Sequence, residues 1–113
     1  MERNIERDLK YIDQEIVAKQ ANGKYCKWSV LANTVTVMDF TPEDYLNYWL
    51  RTFKGRGLVQ RIIITKEDMK EIKERISKVF ERAVPLEEMI RRVELSNETE
   101  KEQKRIKKTL KRV

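Results

Sequence analysis

The sequence predicts a mainly α fold with a small β element. Three observations carry that expectation. Apolar residues recur at three- and four-residue spacing over much of the chain. Thr41-Pro42-Glu43-Asp44 and Thr65-Lys66-Glu67-Asp68 both read as helix starts. Two tracts, 34–40 and 58–64, are rich in β-branched residues and read as short strands.

Residues 3–20 read as the first helix. Ile5, Leu9, Ile12 and Ile16 are spaced four, three and four apart, a seam for burial in the same chain or against a second copy. Asn22-Gly23 ends this helix. Residues 24–40 carry two patterns in succession. Trp28, Leu31, Ala32 and Val35 share one helical face, whereas TVTVMDF alternates as a strand does. The next helix starts at Thr41, with Pro42 at the position that needs no amide donor and Asp44 placed to complete a capping box. Tyr45, Leu46, Trp49, Leu50 and Phe53 form its inward stripe. Gly55 and Gly57 are read as its end, and 58–64 as the strand after it.

A long helix begins at Thr65, with Met69, Ile72, Ile76, Val79, Phe80 and Ala83 inward, and Val84-Pro85 breaks it. Leu86, Met89, Ile90 and Val93 point to a short helix over 86–95. Asn97 is placed to cap the last helix, with Glu100 three residues on. From Gln103 onward every charge is basic, and Ile106, Leu110 and Val113 form a narrow apolar line. Phe40-Thr41-Pro-Glu-Asp and Ile64-Thr65-Lys-Glu-Asp echo each other at an offset of 24. Either a β-α-β-α unit with parallel strands repeats there, or two helices use the same cap. The second reading is preferred because the cap signature is common. The first remains the alternative fold, an α+β arrangement.

Composition narrows the function classes. The chain has 113 residues, net charge +6 and 39% charged residues. The charge is uneven: 24–64 carries +3, 96–113 carries +4, and 65–95 balances at zero. A polyanion is the natural partner for such a distribution. Histidine is absent and Cys26 is the single cysteine. Cys/His zinc sites, histidine acid–base chemistry and a disulfide within the chain are thereby excluded. The charged N-terminus lacks the apolar segment of a signal peptide, and no apolar run approaches about 20 residues. The expectation is a cytoplasmic protein that does not enter a membrane.

The stretch TPEDYLNYWLRTFKGRGLVQR, with Phe53-x-x-x-Gly57-Leu58-Val59-x-Arg61 at its end and Leu31-Ala32 before it, resembles a winged helix-turn-helix DNA-binding domain of the MarR or ArsR type. The likeness covers about residues 5–80. It implies a winged-helix-like domain over 1–83, with 84–113 as a C-terminal helical extension carrying the basic tail. It also implies that helix 41–54 is the recognition helix, that 58–64 is a wing strand, and that the helix after Thr65 serves dimerisation. No turn residue interrupts 58–64, so the wing would be a single strand, or that strand pairs elsewhere.

On that reading Asn47, Tyr48 and Arg51 face the groove, because they fall outside the inward stripe; Asn pairs with adenine and Arg with guanine. Lys54, Arg56 and Arg61 meet phosphates or a minor groove, and Lys24 and Lys27 meet phosphates near the start of the second helix. The resemblance implies a small transcriptional regulator on double-stranded DNA, acting as a homodimer. No catalytic residues, cofactor, metal or small-molecule ligand are evident. Glu43/Asp44, Glu67/Asp68 and Glu87/Glu88 sit where helix N-termini favour negative charge. Two rivals stand beside it: a protein-interaction module, and an RNA binder that stacks bases on Tyr25, Trp28, Tyr45 and Tyr48.

Overall fold

A computed structural model describes residues 5–60 and 63–113, the side chains of 56–60 excepted. Among these residues the chain runs α1 (Glu6–Asp13), β1 (Ile16–Lys19), β2 (Tyr25–Ser29), β3 (Thr34–Phe40), α2 (Pro42–Gln60), α3 (Lys66–Glu81), α4 (Leu86–Glu94) and α5 (Glu100–Lys111). It is mainly α with a small three-stranded antiparallel sheet in the order β1-β2-β3.

The first correction to the sequence reading falls on 3–20. The helix stops at Asp13, and Ile16-Val17-Ala18-Lys19 is a strand. Asn22-Gly23 does not end a helix; it turns β1 into β2, with Gly23 at φ +86. That dipeptide between two apolar tracts is a hairpin signal, since the turn needs positive φ. Arg82 holds the end of α1. Its Nη2 donates to the carbonyl oxygens of Ile12 (2.9 Å) and Asp13 (2.7 Å), where a helix favours positive charge. Arg75 reaches the Asp13 carboxylate and, at 3.0 Å, Glu71.

The second correction falls on 24–40. Both tracts are strands, and Leu31-Ala32 lies in the turn between them, with Leu31 fully exposed. The helix expected ahead of the 41–54 helix is therefore a β-hairpin. β-Branched Val35, Thr36 and Val37 favour the pleated backbone, and the pairing buries Trp28 against Val35.

The sheet separates two cores. Val17, Tyr25 and Phe40 face α1, α2 and α3, whereas Ala18, Cys26, Trp28, Val35 and Met38 face α4 and α5. Strand alternation accounts for β1 and β2, where neighbouring residues point to opposite layers. β3 departs from strict alternation twice. Its register against β2 shifts between Tyr25↔Phe40 and Lys27↔Val37, and again between Lys27↔Val37 and Trp28↔Val35. Each shift inserts one residue, a bulge that reverses the facing of the residues beyond it. The second of these inserts Thr36. The first places Asp39 at φ +61, a conformation that Asp tolerates better than most residues.

Gln20 fixes that bulge. Its Oε1 accepts from the Asp39 amide (2.7 Å) and its Nε2 donates to Asp39 Oδ1 (2.9 Å). Asn22 donates to the same oxygen at 2.9 Å. The Asn22 and Gln20 amides together hold the Asp39 carboxyl below the usual carboxylate range.

α2 carries the third correction. It does not end at Gly55 but continues to Gln60, so the strand expected over 58–64 begins inside a helix. Arg61 and Ile62 lie outside the described residues, and 63–65 have no regular structure. Glycine weakens a helix without breaking it, and nothing in 54–60 forces the chain out. The parallel β-α-β-α alternative falls with that strand, and the sheet is antiparallel. What the echo does contain is a shared cap. Thr41 and Asp44 exchange bonds of 2.9 and 3.1 Å, and Thr65 and Asp68 exchange bonds of 3.0 and 3.1 Å.

α3, α4 and the start of α5 match the sequence stripes closely, except that Thr99, not Asn97, caps α5. α4 and α5 close the second sheet face. Met89, Val93, Ile106 and Leu110 are all buried there, each contributing about 1.5–3 kcal/mol by leaving water. Of the apolar line of the tail, Ile106 and Leu110 are thus spent inside the chain, whereas Val113 is fully exposed. The seam of α1 is likewise spent inside, where Ile5, Leu9 and Ile12 are buried in the first core.

Two substitutions probe these arrangements through stability. A methyl group at Gly55 meets open space, so Gly55→Ala stabilises by about 0.5–1 kcal/mol in thermal or urea unfolding, as it does in a helix interior. A loss of stability would restore the helix end at that glycine. Gln20→Ala strips the Asp39 amide of its acceptor and costs about 1–3 kcal/mol. Because the folded Asp39 pKa lies below the unfolded one, its contribution is present above the ordinary carboxylate range and is lost as pH falls from there through the lower folded value. The cost of Gln20→Ala, measured by unfolding across pH, should shrink in acid.

Candidate nucleic-acid interface

The outer face of α2 is set by what its inner face buries. Tyr45, Trp49 and Phe53 enter the first core, with Leu46 half-buried beside them. Asn47, Arg51 and Lys54 are therefore exposed along one line of the helix, at spacings of four and three. Asp44, Asn47, Leu50 and Arg51 border a shallow open depression. Tyr48 is 54% exposed, its ring edge-on to Trp49 at 5.6 Å.

A cleft of about 290 Å³ lies where α2 meets the hairpin, lined by Lys27, Val37, Phe40, Asp44, Tyr45 and Tyr48. A buried acid stands in contact with two of its lining residues. Glu15 is 9% exposed; its Oε2 accepts from the Tyr45 hydroxyl at 2.9 Å and lies 3.5 Å from Lys27 Nζ. A buried carboxylate persists only with such partners. Burial first, then the Glu15 charge, push the Tyr45 hydroxyl well above the ordinary tyrosine range. It stays protonated and donates.

Lys24 and Lys27 do not begin a second helix. Lys24 sits in the β1–β2 turn, exposed, and its charge acts on Asp39 and Asp44. Lys27 lies on β2 and is paired with Glu15. The geometry brings Lys27 and Tyr48 into one cleft, and sets Asn47, Arg51 and Lys54 together on α2. The side chain of Arg56 and the whole of Arg61 fall outside the described residues. Of the four stacking platforms named for an RNA binder, only Tyr48 is exposed. Tyr45 and Trp28 are buried, with the Arg92 guanidinium 5.9 Å above the Trp28 ring, and Tyr25 packs on Phe80 at 4.8 Å.

The basic tail read from the sequence forms α5, although the sequence reading places none of its residues among the DNA-contacting side chains. On α5, Lys101, Lys104, Lys108 and Lys111 recur at three, four and three, all exposed, flanked by Arg105 and Arg112. Arg105 pairs with Glu102 at 3.0 Å, Lys104 approaches Glu100 at 3.8 Å, and Arg112 approaches Asp39 at 3.7 Å. The lysine spacing is visible in the sequence; which helix face the fold would bury is not. α5 and α2 lie in opposite layers of the sandwich.

Among the described residues no group of His, Cys, Asp and Glu is placed to hold a metal ion, and no helix is long and apolar enough to cross a membrane. No family model, curated protein or solved structure shows significant similarity to this chain.

Tyr45→Phe removes the hydroxyl donor from buried Glu15 and should lower stability by about 1–3 kcal/mol. Chemical denaturation checks it, and no change would mean that Lys27 alone satisfies the carboxylate.

Proposed function

We propose that this chain is a DNA-binding protein without an enzymatic centre. It grips phosphates along α5, as a small transcriptional regulator would, and the outer face of α2, in the opposite layer, offers a second and separate surface to bases. One observation supports this above the rest: the row Lys101, Lys104, Lys108 and Lys111, exposed on one side of a helix whose other side is anchored in the core. Of the four, only Lys104 has an acidic partner within 4 Å among the described residues, and that pair is itself exposed. The row spans about 15 Å at the rise of an α-helix. That is long enough to track several phosphates of one strand, which recur every 3.4 Å or so along the duplex axis.

On α2, Asn47 and Arg51 are suited to adenine and guanine edges, with Tyr48 and Lys54 beside them. Glu43 and Asp44 at the first turn of α2 repel phosphate, so the helix would approach bases from Asn47 onward rather than from its tip. A protein-interaction module is the second reading. The observation that favours it is the hairpin tip, where Val30 and Leu31 are 75% and 100% exposed.

The test is retention on DNA as a function of salt. Affinity should fall steeply with salt, and replacing Lys101, Lys104, Lys108 and Lys111 by Gln should lower the salt slope by about one for each phosphate no longer neutralised. No retention at low salt would overturn the reading.

A further inference from the structure

The cleft between the hairpin and α2 has a chemistry that phosphate binding does not use. Its walls are Val37, Phe40 and Tyr45, and the exposed ring of Tyr48 stands at its rim. Among the described residues two charged groups line it, Lys27 and Asp44, and the carboxylate of Glu15 lies in contact with Lys27. Among the same residues Glu15, Asp44 and Glu43, the last next to Asp44 in the same helical turn, offset Lys27 and Lys24 around this cleft, which disfavours a phosphate or another anion there. A bare apolar ligand would leave the remaining donors of Lys27 and the remaining acceptor capacity of Asp44 unused.

What fits is a flat, neutral ring that carries both donors and acceptors. Asp44 gives one carboxylate oxygen to the Thr41 amide and has further acceptor capacity. The Lys27 ammonium has three donors and turns toward Glu15 at 3.5 Å, so it has donors to spare. Tyr48 offers an aromatic face. About 290 Å³ is at the lower end of small-ligand pockets and suits a single ring system.

We propose that this cleft takes one unpaired nucleobase. Tyr48 stacks on the ring, Asp44 accepts from an exocyclic amino group, and Lys27 donates to a ring carbonyl or ring nitrogen. The proposal rests on the DNA-binding reading and sharpens it, because a base still stacked in a duplex cannot enter a cleft. The preferred partner is therefore single-stranded DNA or a duplex with an unpaired base. Asp44 borders both the cleft and the depression that holds Asn47 and Arg51. A strand whose base entered the cleft would carry its backbone past Arg51. The ring could come from a free nucleoside or from a nucleotide in a strand, and the experiment separates the two.

The full chain is titrated at low salt with a short single strand, the matched duplex, and that duplex carrying one bulged base, read by fluorescence anisotropy. Free adenosine and cytidine are titrated in parallel, read by NMR shifts of residues around the cleft. The single strand and the bulged duplex should bind about tenfold more tightly than the matched duplex, the scale of one base–aromatic stack. Tyr48→Ala removes the platform and Val37→Lys fills the opposite wall; both side chains are partly exposed, and both changes should erase the preference. Equal affinity for all three DNAs, or a preference that survives in both variants, overturns the proposal. If no DNA is retained but nucleosides shift the cleft residues, the base site stands and the DNA-binding reading falls. If DNA is retained without preference and nucleosides shift nothing, the reverse holds.

Discussion

β3 spends more residues than β2 across their shared ladder, and its side chains change faces twice as a result. Val35 lies on the α4–α5 side, Val37 on the α2 side, Met38 back on the first, and Phe40 on the second. Without the insertion at Asp39 alone, Phe40 would point into the wrong layer, and the aromatic cluster that it forms with Tyr45, Tyr25 and Phe80 would have no centre. The Gln20 amide holds one insertion in place through two bonds to a single residue. Both cores, and the cleft between sheet and helix, depend on that geometry.

The same constraint explains the unusual polar pair in the first core. Strand pairing sets Lys27 opposite Val17 and Val37, on the face that α2 covers. A lysine there needs a counter-charge, and Glu15 supplies it from the turn before β1, while Tyr45 meets Glu15 from the helix. Three elements converge on one carboxylate. Removing any of the three side chains leaves another polar group less well satisfied.

Much of the helical half of the chain was legible. The stripes Ile72/Ile76/Val79 and Met89/Val93 keep a strict helical period, and the threonine caps at Thr41 and Thr65 both form. Legibility failed where two periods share residues. Ile5, Leu9, Ile12 and Ile16 keep a perfect seam, yet the last of them belongs to a strand, because Val17 and Ala18 are wanted on opposite sides of a sheet. A heptad cannot register that demand. Gly55 and Gly57 invited a stop that the backbone does not make, since permissive residues allow a turn without requiring one. Within the candidate site, exposure of Asn47, Tyr48, Arg51 and Lys54 was readable from periodicity. The Glu15–Tyr45 bond was not, because nothing local links residues thirty apart.

The edges of the sheet have a consequence for assembly. Beyond β1 the chain itself supplies a partner: the Val84 amide donates to the Val17 carbonyl at 2.9 Å, and Val84 bridges Ala18 in parallel. Beyond β3 the ladder is interrupted twice, which spoils the even row of amides and carbonyls that a foreign strand would need. Neither margin is a template for lateral growth. Copies of this molecule that meet at high concentration find no regular strand edge among the described residues, so crowding need not seed fibrils.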